Sequence, residues 1–298
     1  MLRTSVRKWW PRGGAALLFV AALVAAAPAI AQKTFPTPEA AVDALVDGLA
    51  CHDDDRVRLV LGPDYRLLMP LDPLSEEDRT DFLAAWSQGH RVERNGASAR
   101  LVLNNGWTLP IPIVRSGDGW VFDVRAGAEE VRIRRIGRNE LAAIKAMYAF
   151  YDAQREYAEQ DRNGDGVLEY ARRLLSGPGK RDGLYWDAPD AEPSSPAGPL
   201  FDTRRFKDGY HGYRFKILEA QGPAASGGAR SYLTRGHLAN GFALVAWPAH
   251  YGETGVMSFL VNHDGVVYQK DLGPASAAIA SAMTRFNPDA TWVALPPP

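Results

Sequence analysis

The stretch GFALVAWPAHYGETGVMSFLVNHDGVVYQKDLG, residues 241–273, decides the fold of the C-terminal half of this chain. It contains three apolar runs, at 242–247, 256–261 and 266–268, which are rich in β-branched and aromatic residues. The second and third runs are separated by Asn-His-Asp-Gly, and an Asp-Gly pair between such runs is a strong β-hairpin signal. The stretch therefore predicts an antiparallel meander.

The segments before this stretch predict its packing partners. Tyr213, Phe215 and Ile217 alternate with polar residues and predict another strand of the same sheet. Residues 139–160 carry a broad apolar stripe at helical spacing and predict the longest helix of the chain, packed on the sheet. Between helix and sheet, residues 177–206 are rich in Pro, Gly and Ser and predict a long exposed loop.

The N-terminal third predicts short helices followed by a curved antiparallel sheet. Thr37, Asp53 and Ser75 each precede a helical pattern and are residue types that cap helix N-termini. Strand-like runs at 99–103, 107–114 and 120–124 follow, separated by Gly-containing turns. The predicted fold class is therefore α+β, with N-terminal helices plus a curved antiparallel sheet, then a long helix packed on a C-terminal antiparallel β-meander.

Residues 1–31 have the features of an export signal. Four basic residues and no acidic one precede an apolar segment at 15–27, which is too short to span a bilayer. Small residues up to Ala31 suit a signal peptidase, so we expect cleavage after Ala31 and a periplasmic or secreted mature protein. No other segment is apolar and long enough to predict a membrane span in the mature chain.

These signals divide the chain into five parts. We expect a signal peptide at 1–31, an N-terminal α+β region at 32–137, the long helix with an Asp/Gly loop at 138–176, the exposed loop at 177–206, and the C-terminal antiparallel sheet with a closing helix at 207–298.

The composition of the mature chain narrows the classes of partner. Removal of the signal changes the formal net charge from −1 to −5, which argues against a nucleic-acid partner. Cys51 is the only cysteine, so no intramolecular disulfide can form, and the fold depends on its own apolar core.

The segment GYHGYRF at 209–215, taken together with the 241–273 stretch, resembles a bacterial family, the domain of unknown function 2950. The resemblance extends over nearly all of the mature chain and implies an exported bacterial protein. It implies no activity, substrate or catalytic residue. A weaker resemblance, of the long helix, Asp/Gly loop and meander, is to the globular half of bacterial pilin-like proteins, whose helix begins with a membrane-spanning segment that this chain lacks.

The sequence DRNGDGVLE at 161–169 matches the first half of an EF-hand-type calcium loop. Gly166 allows the sharp turn, and oxygen atoms at alternate positions can converge on an ion. The twelfth position, where a bidentate Glu is expected, is Arg172, so the ligand set is incomplete. We therefore consider calcium as a cofactor, against the alternative of a solvated turn; the candidate ligands are Asp161, Asn163, Asp165, Val167 through its carbonyl, and Glu169.

Other metal and nucleophile patterns are weaker. No two histidines have zinc-site spacing, although strand pairing could bring His211, His250 and His263 together; a satisfied or surface histidine is the commoner alternative. Cys51 and His52 are adjacent on a predicted helix and do not face each other as a dyad.

No pattern in the sequence assembles an active site. The leading hypothesis is therefore an exported cell-envelope protein with a non-enzymatic binding or interaction role, whose partner is an unidentified envelope protein or ligand. The alternative is a periplasmic hydrolase or carbohydrate-active protein with a site near His211, Trp247 and His250, where polar and aromatic groups gather around one turn.

Overall fold

A computed structural model describes residues 32–68, 75–187, 194–198, 201–202 and 209–296. The predicted signal peptide and part of the predicted 177–206 loop lie outside the described residues. The described part combines helices with antiparallel sheets and confirms the α+β class.

The N-terminal part begins with the helices whose caps the sequence indicated. The side chains of Thr37, Asp53 and Ser75 accept hydrogen bonds from the free backbone N–H groups at the starts of three helices, and Ser75 forms a reciprocal capping box with Asp78. The helices are α1 (Pro38–Ala50), α2 (Asp54–Leu61), a short 3-10 helix (Pro63–Leu68) and α3 (Glu76–Ser87).

A four-stranded antiparallel sheet follows, with its strands in chain order. The predicted strand-like run at 107–114, whose Pro110 and Pro112 indicate an edge or a bend, is interrupted: Thr108 forms an isolated bridge to Val102, and the regular strand begins at Ile113. One strand of mostly exposed polar residues has no apolar alternation and was not predicted. The four strands are β1 (His90–Asn95), which is the missed one, β2 (Ser98–Leu103), β3 (Ile113–Ser116) and β4 (Gly119–Phe122).

The long helix α4 (Val124–Tyr157) begins well before the predicted start at residue 139. Asp123 caps it by accepting the N–H of Ala126 at 3.0 Å. Its first half has no apolar stripe; ion pairs along the helix, such as Arg134 to Glu130 at 2.8 Å, and a bond from Arg134 to the carbonyl of Thr108 at 2.7 Å support it instead. The boundary that the sequence placed at residue 138 therefore lies within one continuous helix of 34 residues.

The C-terminal sheet confirms the predicted meander. Its strands are β5 (Tyr213–Leu218), β10 (Ala243–Pro248), β11 (Met257–Asn262), β12 (Tyr268–Asp271) and β13 (Val293–Ala294), and the closing helix is α5 (Ser276–Ala282). The hydrogen-bonded order is β13–β12–β11–β10–β5, all antiparallel, and Asn262 to Gly265 form the predicted tight turn.

Two short hairpins connect β5 to β10. They are formed by β6 (Ala220–Gln221) with β7 (Arg230–Ser231), and by β8 (Leu233–Thr234) with β9 (His237–Leu238).

Helix α4 joins two separate apolar cores. Val124 at its start packs in the core of the N-terminal part, whereas Met147 and Phe150 are fully buried in the core of the C-terminal sheet. Phe242 anchors the end of this second core, because its ring lies 5.7 Å from that of Phe150 and 4.7 Å from that of Tyr170. This packing places the loop that follows α4 beside the β8–β9 hairpin. Among the described residues, no helix is both long enough and apolar enough to cross a membrane.

Candidate functional site

The loop that follows α4 is organised by one carboxylate. Asp161 accepts the backbone N–H of Gly164 at 2.8 Å and of Asp165 at 3.2 Å on one oxygen, and of Gly166 at 2.8 Å on the other. These bonds, the one from Gly166 foremost, hold the pKa of Asp161 below its ordinary value. Gly164 and Gly166 have φ of 78° and 85°, values that residues other than Gly rarely adopt. The role of Asp161 is therefore to shape the loop.

Two other carboxylates of the loop are held side by side. Asp165 accepts the N–H of Val167 at 2.9 Å, and Glu169 accepts the N–H of Leu238 at 3.2 Å. The side-chain amide of Asn163 bridges them, since its nitrogen donates to Asp165 at 2.8 Å and to Glu169 at 2.6 Å. Backbone N–H groups thus orient both carboxylates. Because each carboxylate is only an acceptor, the hydrogen-bond donor between them comes from the Asn163 amide.

His237 approaches the same two carboxylates from the β8–β9 hairpin. The turn consists of Arg235 and Gly236, both with positive φ, as the tightest hairpin connections require. The Nδ1 atom of His237 lies 3.3 Å from Oε2 of Glu169 and 3.5 Å from Oδ2 of Asp165. The hairpin is tied to the loop because Tyr170 donates its N–H to the carbonyl of Leu238 at 2.9 Å.

These three side chains border a cavity of about 500 Å³. Two arginines on its wall pair with carboxylates that also line it: Arg172 with Glu219 at 2.7 Å, and Arg173 with Asp182 at 3.3 Å. Burial in the first place, and then the charges of Glu169 and Asp182, raise the pKa of the lining residue Tyr157 to about 12. Asp165 and Glu169 are the two further carboxylates of the lining, so acidic side chains outnumber the arginines there.

The chemistry of this group is that of a metal-ligand set. Carboxylate oxygen and imidazole nitrogen are the usual protein ligands of divalent metals. Exposure of the side chains is 11% for Glu169, 30% for His237 and 35% for Asp165, so the three form a half-buried site that solvent still reaches. Within the described part of the chain, no other group of at least three His, Cys, Asp or Glu has ligand atoms within 4.8 Å of one another.

The structure divides the five predicted calcium ligands. Asp165 and Glu169 meet at the cavity, and Asn163 lies between them. Asp161 and Val167 do not line it: the first holds loop N–H groups, and the second donates its own N–H to Asp165. Residues 158–187 are all described and contain no helix, so the second helix of an EF-hand is absent here.

The other predicted sites are only partly brought together: the carbonyl of Gly212 accepts the N–H of Ala249 at 2.8 Å, so His211 and His250 lie in neighbouring turns. His211, His250 and His263 do not form the hypothesised metal triad among the described residues. The alternative hydrolase site near His211, Trp247 and His250 borders neither the cavity above nor a second one of about 500 Å³ at the start of α4. The side chain of Trp247 is instead buried in the C-terminal core.

Sequence reasoning overlooked His237 as a site residue. The signal available was the Arg-Gly pair between Leu233-Thr234 and His237-Leu238, which is a weaker hairpin signal than Asn-Gly or Asp-Gly. Nothing local connects this hairpin to a loop some 70 residues earlier.

The chain was also compared with known proteins. A family model described as "Protein of unknown function (DUF2950)" matches residues 32–295. Neither the curated proteins nor the solved structures contain a match. The family match covers almost the whole chain after residue 31 and confirms the resemblance seen in the sequence. The chain therefore belongs to the DUF2950 family of proteins of unknown function.

Proposed function

We propose that this protein is an exported cell-envelope protein that binds a divalent cation, and that its role is binding rather than catalysis. One observation carries the proposal: two carboxylates and an imidazole from distant parts of the chain converge at the edge of a cavity.

The charges around the cavity support a cation as the ligand. Two like charges about 4 Å apart repel by about 4 kcal/mol at an effective dielectric constant of 20. Asp165 and Glu169 share the amide of Asn163, which carries only partial positive charge, and the nearby Arg172 and Arg173 neutralise other carboxylates. A divalent cation would supply the missing charge between them.

Calcium is the cation that the sequence favours. In that form of the proposal, the oxygens of Asp165 and Glu169 bind the ion, and rotation of the Asn163 amide adds its carbonyl oxygen. The proposed function is the binding of a divalent cation at this cavity, and it holds whichever divalent ion is bound.

Binding without catalysis is supported by the lining of the cavity. None of the described residues that border it is a Ser, Thr, Cys or Lys, so its described lining contains no aliphatic hydroxyl, thiol or amine nucleophile. Reproducible turnover of a small molecule that is lost in a cavity variant would overturn this part of the proposal.

Export is supported by the sequence of residues 1–31 and by the anchoring of Gln32. The side-chain amide of Gln32 donates to the carbonyls of Phe122 at 2.8 Å and Val60 at 3.3 Å. The residue expected to begin the mature chain is thus already part of the fold. N-terminal sequencing of protein from fractionated cells is expected to begin at Gln32 in the periplasm or medium, and an intact Met1 in the cytoplasm would contradict export.

Cation binding is tested by thermal unfolding of the mature protein after treatment with a chelator. A ligand at a hundred times its Kd stabilises the folded state by about 2.7 kcal/mol, which is a Tm shift of a few degrees for a chain of this size. We expect at least one of Ca²⁺, Mg²⁺, Mn²⁺ and Zn²⁺ to produce this shift.

The shift should be lost in Asp165→Asn and kept in Asp118→Asn, which removes an exposed carboxylate from the turn between β3 and β4. If none of the four cations shifts the Tm of the unmodified protein, the proposed function is wrong.

A further inference from the structure

We infer that the cation is a first-row transition dication of the zinc type, bound by Asp165, Glu169 and Nδ1 of His237. This inference rests on the proposed function and specifies the chemical class of its ligand.

The donor atoms favour zinc over calcium. Calcium takes about six to eight oxygen ligands, whereas imidazole nitrogen suits Zn²⁺, Ni²⁺ and Cu²⁺. Here the nitrogen that faces the carboxylates belongs to His237. The group at the cavity therefore combines a nitrogen donor with two carboxylates, which suits a zinc-type ion better than an all-oxygen calcium site.

The separations between the ligand atoms fit a small ion. With metal–ligand bonds of about 2.0–2.1 Å, a tetrahedral site places its ligand atoms about 3.4 Å apart. Nδ1 of His237 lies 3.3 Å from Oε2 of Glu169 and 3.5 Å from Oδ2 of Asp165. The candidate ligand atoms of Asp165, Glu169 and His237 all lie within 4.8 Å of one another, so a single ion can lie between them.

The surroundings hold the ligands in place and leave room for solvent. Glu169 is oriented by the N–H of Leu238, the residue after His237, so loop and hairpin fix each other. Three protein ligands leave a tetrahedral ion one further position for water or an exchangeable ligand, and the three side chains border the cavity.

The direct test is competition between metals on the mature protein. Chelator-treated protein is dialysed against Zn²⁺ in the presence of a large excess of Ca²⁺ and Mg²⁺, and bound metal is measured by mass spectrometry. We expect one zinc per chain and no stoichiometric calcium. Co²⁺ in place of Zn²⁺ should give the visible absorption of an ion with nitrogen and oxygen ligands in a low-coordinate site.

Variants at His237 test the nitrogen ligand. Loss of an orienting second-layer partner alone typically costs 10–100-fold in metal affinity, so His237→Ala should cost at least about a hundredfold for zinc. His237→Asp, which makes the ligand set all oxygen, should lose the preference for zinc over calcium. The matched control is His52→Ala, because His52 lies 3.0 Å from a single carboxylate, that of Glu76. Circular dichroism establishes that each variant is folded.

The outcomes separate this inference from the proposed function. If the protein takes calcium in preference to zinc, or if folded His237→Ala binds zinc as tightly as the unmodified chain, the inference is overturned while cation binding stands. If none of the metals binds, both are overturned. Should His237→Ala not fold, the Co²⁺ spectrum decides, because a spectrum equal to that of the aqueous ion contradicts ligation by His237.

Discussion

Two histidines of this protein lie beside glutamates at nearly the same distance, in very different surroundings. His52 is 3.0 Å from Glu76, with both side chains more than half exposed, 59% and 68%. His237 is 3.3 Å from Glu169, whose side chain is only 11% exposed, and a second carboxylate, Asp165, completes the group. Exposed pairs of the first kind contribute little because solvent screens them.

A short distance between a histidine nitrogen and a carboxylate oxygen does not by itself identify a metal site. His52 lies in the turn between α1 and α2, Glu76 lies in the first turn of α3, and either side chain can turn away into solvent. Asp165 and Glu169 are each held by a backbone N–H, and His237 is presented by a hairpin that is itself bonded to the loop. Ligands that are oriented before the ion arrives lose less conformational entropy when it binds.

The largest expected effect comes from disturbing the hairpin that presents His237. Gly236 has φ of 92° in the turn, so Gly236→Ala should destabilise the fold by about 1–3 kcal/mol and also reduce the Tm shift caused by zinc. Gly96→Ala is the matched control, since Gly96 has φ of 58° in the β1–β2 turn, and neither glycine has a neighbour within 4 Å of an added Cβ. It should lower the Tm without changing the zinc shift. Equal zinc shifts in both variants would contradict the role given to the hairpin.

A third histidine extends the comparison to a buried ring that faces a cation. Nε2 of His263 lies 2.7 Å from a guanidinium nitrogen of Arg230 and 3.8 Å from Asp264, its Nδ1 is buried without a hydrogen-bond partner, and its ring packs on Tyr232 and Phe242. Burial foremost lowers the pKa of His263 below 6.5, with Asp264 opposing the shift and Arg230 adding to it.

The pH dependence follows from the sign of that shift. Because the unfolded chain takes up the proton first, the free energy of unfolding should fall as the pH decreases below 6.5 and level off below the folded pKa. Urea midpoints at about pH 7.5 and about pH 5.5, with chelator present, measure this loss, which should be smaller in His263→Gln. An equal loss in that variant would assign the effect to other groups.

Adding a negative charge at the cavity should have a smaller effect, which lowers the stability of the metal-free protein and raises its cation affinity. Asn163→Asp replaces the bridging amide with a third carboxylate, so the metal-free protein should be less stable, while cation affinity should rise about tenfold or 1.4 kcal/mol. Asn163→Ala removes the bridge without adding charge and serves as the control. The measurement is the Tm with and without zinc, and a tighter site in Asn163→Ala than in Asn163→Asp would contradict the electrostatic argument.

The smallest effect is expected at the exposed pair. Glu76→Gln removes the partner of His52, and the Tm should stay within the scatter of the measurement with and without zinc. The hydrogen bond from His52 foremost lowers the pKa of Glu76, so any contribution is present above the unfolded pKa and lost on acidification. A marked loss of stability at neutral pH would show that the pair contributes more to the free energy of unfolding than its exposure suggests.

Local signals in the sequence were sufficient for much of the fold. Side-chain caps at Thr37, Asp53 and Ser75 act over three residues, and the Asp-Gly turn between β11 and β12 acts over four, so both can be read without knowing the rest of the chain. The same local logic failed at the first half of α4. The first half of α4 carries ion pairs instead of an apolar stripe, so its sequence has no apolar period that would predict a helix.

The amino-acid sequence was enough to identify the family, from a match along residues 32–295. It was also enough for the α+β class and for the loop that carries Asp165 and Glu169, because these depend on patterns among residues close together in the chain. Only the tertiary structure decided that His237 completes the group, that Asp161 serves the loop, and that no helix follows it. The physical reason is that Phe242, packed against the end of α4 and against Tyr170, brings the hairpin to the loop. Contacts between residues far apart in sequence leave no periodic or local pattern, and here they bring the candidate ligands together.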